Sequence, residues 1–88
     1  MMVPTVNLNG TSKSELLRET REAYDALGAA MKALRNMTVH GRDYHMQEGG
    51  SDAVQRALDE HRARLNAVYQ VQEELLDYFA AIDKQTGR

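Results

Sequence analysis

Eighty-eight residues with a mean hydropathy of −0.61 allow one small domain, too short to bury a large core. No cysteine is present, which excludes disulfide staples and thiolate metal sites. Eleven Lys+Arg against 13 Asp+Glu leave no positive surplus for displacing phosphate counterions, so nucleic-acid binding through Arg42, Arg62, Arg64 and Tyr44 is disfavoured.

The first element, residues 1–11, holds the only proline, Pro4, and ends in Asn9-Gly10. Val6 and Leu8 alternate onto one side of an extended chain, which reads as a short arm closed by a turn. A frayed tail is the other reading, and it leaves Val3, Val6 and Leu8 in free solution.

Ser12-Lys13-Ser14-Glu15 then fits a capping box, in which the Ser12 hydroxyl accepts from the Glu15 amide. A helix over 13–37 follows, with Leu17, Thr20, Tyr24, Leu27, Met31 and Leu34 spaced alternately three and four apart as a heptad seam. Leu16, Ala23, Ala30 and Met37 widen that seam on one flank. Arg18 with Glu22 and Arg21 with Asp25 are candidate pairs on the outer face. Gly28 inside the helix either admits a close neighbour or is tolerated at about 1 kcal/mol against alanine.

Residues 38–50 form the connector, long for a helix–helix link and too rich in aromatic, Met and His residues for a plain spacer. Part of it is expected to be ordered against the hairpin end. Gly41-Arg42-Asp43-Tyr44 reads as a turn in which Gly supplies backbone freedom, Asp43 accepts from a nearby amide and Tyr44 packs down. Arg42, Asp43, Tyr44, His45 and Met46 are also the candidate protein-binding residues, since Arg and Tyr bury large areas at interfaces while still offering polar groups. His40 and His45 are five apart on a loop with no cysteine to join them, so neither a metal site nor any other cofactor is expected. Asp43 with either histidine makes no positioned acid–base pair in an evident pocket, and no enzyme is expected.

The second helix is expected over 51–83, capped by Ser51 with Asp52 in its first turn. Its seam is Val54, Leu58, His61, Leu65, Val68, Gln72, Leu75, Phe79 and Ile82. Ala57, Val71, Leu76 and Ala80 lie alongside. His61 is read as a packed histidine with a hydrogen-bonded ring, or with Gln72 as a polar residue that sets register. Asp52/Arg56, Arg56/Glu60 and Glu60/Arg64 are candidate pairs on the solvent face. Residues 84–88 are expected to fray.

Matching seams predict an all-α fold: an antiparallel two-helix hairpin carrying the extended arm, with Leu75 and Phe79 facing Leu17 and Tyr24. Leu16, Met37, Tyr69, Val71, Leu76 and Tyr78 exceed what one coiled-coil seam hides. A homodimer, paired as a four-helix bundle, is the expected remedy, and a heterologous partner would serve equally well. No apolar run nears the ~20 residues that span a bilayer, and the N-terminus lacks a signal pattern, so a cytoplasmic protein without membrane contact is expected.

The run Val6-Asn7-Leu8-Asn9-Gly10-Thr11-Ser12 with Leu16-Leu17, the connector Gly41-Arg42-Asp43-Tyr44-His45 and Glu60-His61-Arg62-Ala63-Arg64-Leu65 together resemble a group of small uncharacterised helical proteins encoded by tailed phages and prophages. Chains of that group carry a second tyrosine where His45 stands, which argues against a required phenol there. The group brings no activity with it. The resemblance implies a setting, a phage-encoded accessory protein expressed inside a bacterium. In that setting a small acidic helical hairpin without a catalytic site is expected to act in the cytoplasm by binding a host or phage protein during host takeover. A virion-associated or assembly role is the alternative.

Overall fold

The computed structural model describes residues 1–44 and 46–86. Two long helices, α1 (Lys13–Arg35) and α2 (Gly50–Asp83), pack side by side as an antiparallel hairpin in a rod of 62 × 20 × 17 Å. Among the described residues there is no strand, and no helix is long and apolar enough to cross a membrane.

Every predicted seam position of both helices is buried or half-buried. Met31 and Ile82 are the buried apolar side chains, with Thr20 and His61 as buried polar ones. Both polar groups are satisfied. Thr20 Oγ1 donates to the Leu16 carbonyl at 2.7 Å, a bond within its own helix. His61 Nε2 donates across the hairpin to the Leu34 carbonyl at 2.8 Å, which fixes the tautomer of the neutral ring and leaves Nδ1 3.5 Å from Arg64 Nη1. His61 is therefore a packed, hydrogen-bonded histidine that ties α2 to the last turn of α1. At Gly28 an added Cβ lies 3.5 Å from the Gln72 amide nitrogen, an ordinary contact distance, so the glycine is tolerated rather than required.

The caps explain where the helices stop. Ser12 Oγ accepts from the Glu15 amide at 3.2 Å, as expected of the capping box. α1 ends at Arg35, two residues short of the expected boundary, because Asn36 and Met37 turn their amides onto carbonyls of the last turn. The expected Ser51 cap is corrected. Gly49 is the cap residue, at φ 91° in the left-handed region that glycine enters without strain, and its carbonyl accepts from Asp52 at 2.8 Å. Ser51 already lies inside α2.

With 34 residues against 23, α2 overhangs α1 by about 16 Å, from the ~1.5 Å rise per residue. The chain leaving α1 runs on along this overhang toward the start of α2. Val39, Gly41 and Tyr44 are half-buried there, and a Cβ on Gly41 would lie within 4.0 Å of the Val54 methyls. Thirteen residues are needed because the connector covers the overhang as well as reversing the chain.

At the opposite pole the arm is docked. The Gln85 side chain donates through Nε2 to the Pro4 carbonyl and accepts through Oε1 from the Val6 amide, both at 2.9 Å. One amide thus satisfies the two inward-facing backbone groups of an extended segment, as a neighbouring strand does. Lys13 Nζ adds a 2.8 Å bond to the Gln85 carbonyl. Val3, Pro4 and Val6 are half-buried, and Ile82, one turn before Gln85, is wholly inaccessible. The tail expected to fray from residue 84 is therefore corrected at Gln85, which the arm holds. Leu8 stays 73% exposed, in a turn closed by the Gly10 amide on the Asn7 carbonyl.

Candidate functional site: the connector pole and the hairpin flanks

Of the five predicted binding residues, Arg42 and Asp43 are exposed and Met46 is 95% exposed, while Tyr44 is half-buried. His45 lies outside the described residues. The loop is built from stacked short turns. Gly41–Asp43 is one 3-10 turn, continued by the Tyr44 amide on the Gly41 carbonyl and the Gln47 amide on the Tyr44 carbonyl. The side chain that caps it is His40, whose Nδ1 accepts from the Arg42 amide at 3.1 Å. Asp43 closes the same turn and is exposed. Gly41 has no positive φ, and a Cβ there would meet the Val54 methyls at 3.9 Å, an ordinary contact distance, so this glycine too is tolerated rather than required. The result is an ordered platform that displays Arg42, Asp43 and Met46 beside a partly packed phenol.

A second surface is absent from the sequence reading. On one flank of the hairpin, Thr20, Arg21, Tyr24 and Asp25 of α1 and Leu75, Leu76 and Phe79 of α2 line an open groove of about 320 Å³. The seam register places Leu75 and Phe79 opposite Tyr24 as expected. Two helices alone do not close over them, so Phe79 is only half-buried. Leu76 and Tyr69, noted in the sequence as surplus apolar residues, are 46% and 52% exposed on this side. The Glu73 carboxylate raises the Tyr69 phenol above the ordinary tyrosine range, first as a hydrogen-bond acceptor and then by its charge.

A shallower concavity of about 480 Å³ runs along the overhang of α2, between Asp52, Gln55, Arg56, Asp59, Glu60 and Ala63. Its charges are solvated and partly paired: Gln55 Nε2 donates to Asp59 at 2.9 Å, and Arg62 lies 3.7 Å from the same carboxylate. The ion pairs among described residues are Arg18 with Glu22 and with Glu15, and Arg62 with Asp59. Glu22, first by hydrogen bonding and then by charge, raises the Arg18 guanidinium further. Arg21/Asp25, Asp52/Arg56, Arg56/Glu60 and Glu60/Arg64 do not close to ion-pair distance. Exposed pairs on a helix gain so little that neighbouring geometries compete freely. Among the described residues no three His, Cys, Asp or Glu side chains converge as metal ligands.

Compared with protein-family models, curated proteins and solved structures, the chain matches none.

Proposed function

We propose that this chain acts by binding another protein through the connector pole, as a phage-encoded accessory that inhibits or modulates a host factor or defence component. The phage setting rests on the resemblance of the opening, connector and second-helix motifs. The observation that carries the binding reading is the connector platform. Hydrogen-bonded turns hold residues 40–44 in place, yet Met46 is 95% exposed beside the exposed Arg42 and Asp43. A single large apolar side chain gains nothing from water, and on an ordered loop it loses little entropy when a partner covers it. Recognition consists of Met46 entering an apolar pocket, the Arg42 guanidinium meeting an acidic or carbonyl-rich rim, and Tyr44 and Asp43 fixing orientation.

A virion-associated or assembly role is the second reading. It is favoured by the 62 Å rod with apolar flanks, a shape suited to stacking against other helices. Capture from uninfected host lysate, compared with capture from infected cells, separates the two. A host protein retained from both supports the first reading, and a phage structural protein retained only from infected cells supports the second. Under the first reading Arg42→Ala with Tyr44→Ala should abolish capture. Retention of the same protein by the folded double variant moves recognition off the connector.

A further inference from the structure

Folded monomers of 9.9 kDa expose about 5,200 Å² by the usual mass scaling. This chain exposes 6687 Å². The surplus, roughly 1,500 Å², exceeds the ~800 Å² that each partner buries in a standard interface and falls in the range of a permanent homodimer.

Part of that surplus lies on the flank opposite the groove. On α1, Leu16, Glu19, Ala23, Ala26, Ala30 and Ala33 repeat at three and four, a second heptad seam beside the one used inside the hairpin. On α2 the same repeat runs through Ala53, Ala57, Glu60, Arg64, Ala67, Val71, Glu74 and Tyr78. Arg21, Tyr24 and Asp25 share the groove with Leu76 and Phe79, so the two helices carry their second seams on the same, opposite side of the hairpin. Val71 is 46% exposed there.

We propose that this flank is the interface of an isologous homodimer, with a two-fold axis crossing the helices at the height of Ala30. The charges of α2 set that height. On α2, a dyad between Ala67 and Val71 sets Arg64 against Glu74 of the second copy, Glu74 against its Arg64, and Glu60 near its Tyr78 hydroxyl. The hairpin register, with Gly28 beside Gln72 and Lys13 on Gln85, puts Ala30 level with about residue 69. The α2 dyad therefore falls at the height of Ala30. Within one chain Arg64 and Glu74 are about 15 Å apart along the helix, too far to pair, so their complementarity is realised only between copies. The two hairpins run in opposite directions, and their connector poles lie about 50 Å apart, from the ~1.5 Å rise per residue. The groove flank stays free. The dimer stands independently of connector binding.

Charge reversal tests the register. Sedimentation equilibrium of the full chain should give twice the 9.9 kDa mass at micromolar concentration. Arg64→Glu alone or Glu74→Arg alone should weaken the dimer by at least about tenfold, because like charges then oppose each other twice across the axis. The double exchange Arg64→Glu with Glu74→Arg should restore it. Ala30→Arg, which sets two cations on the dyad, should give a monomer whose helical circular dichroism is retained. A wild-type monomer at 100 µM (a concentration on the order expected to saturate any permanent dimer) overturns the proposal. So does a dimer indifferent to Ala30→Arg, or single reversals whose effect the double exchange fails to restore.

Discussion

At the pole where α1 begins and α2 ends, three segments of chain meet: both helices and the arm clamped by Gln85. At the connector pole, α2 has only a run of short turns against it. The burial differs accordingly. Ile82 is wholly inaccessible, whereas at the other pole Val54 and Leu58 are half-buried and Met46 is almost fully exposed. Two helices cover one side of each other and bury Met31, Thr20 and His61, but the side chain with no exposure at all lies where a third segment is added. The comparison teaches where stability and recognition are separated in a hairpin this small: the clamped pole holds the fold, and the connector pole is free to present side chains.

The sharpest way to break that contrast is Ile82→Ala. At a fully enclosed site the lost transfer energy and the cavity add, and stability should fall by about 2–5 kcal/mol in urea denaturation. A loss below ~1 kcal/mol would mean that the arm does not enclose the site. Next in size is His61→Ala, which removes the cross-helix donor to Leu34 and opens space in the seam. It should destabilise by roughly 1–3 kcal/mol in the same assay. Gln85→Ala is expected to cost about 1–2 kcal/mol and, more tellingly, to release the Val6 amide to fast hydrogen exchange while the amides of α1 keep their protection. Slow exchange at Val6 in that variant would show the arm held by its apolar contacts alone. The smallest effect on stability belongs to Arg42→Ala with Tyr44→Ala. Helix content should be unchanged and the loss under about 1 kcal/mol, while partner capture disappears. Unfolding of this variant would make the connector a structural clasp and erase the division between the poles.

The two seams were readable because heptad spacing and burial follow one geometry, and all the residues assigned to them fall in the interface. Phe79 and Leu75 also lie opposite Tyr24. Other features escaped for definite reasons. Ser51 has the chemistry of a cap, but Gly49 reaches the left-handed conformation that redirects the chain, and conformation outranks side-chain type there. The side chain that caps the connector turn is His40, whose ring nitrogen lies at the right distance from the Arg42 amide, a role with no sequence signature. Gln85 was placed in a fraying tail because a side-chain amide that clamps a distant backbone leaves no periodic trace. The groove was legible only in part. Leu76 and Tyr69 announced surplus apolar surface, but the share of Phe79 and Tyr24 in an open wall depends on how far two helices can close over their own seam.

Gln85 also has a topological consequence. By binding Pro4 and Val6 it brings the first and last described segments of the chain within one hydrogen bond of each other. A short linker could therefore join the two ends, with the new opening cut at the Gly49-Gly50 turn, where neither backbone position has a neighbour within 4 Å of a Cβ. Such a circular permutant would carry its free ends at the connector pole and turn the arm into a loop between the helices, with the same seams and the order of the helices in the chain reversed.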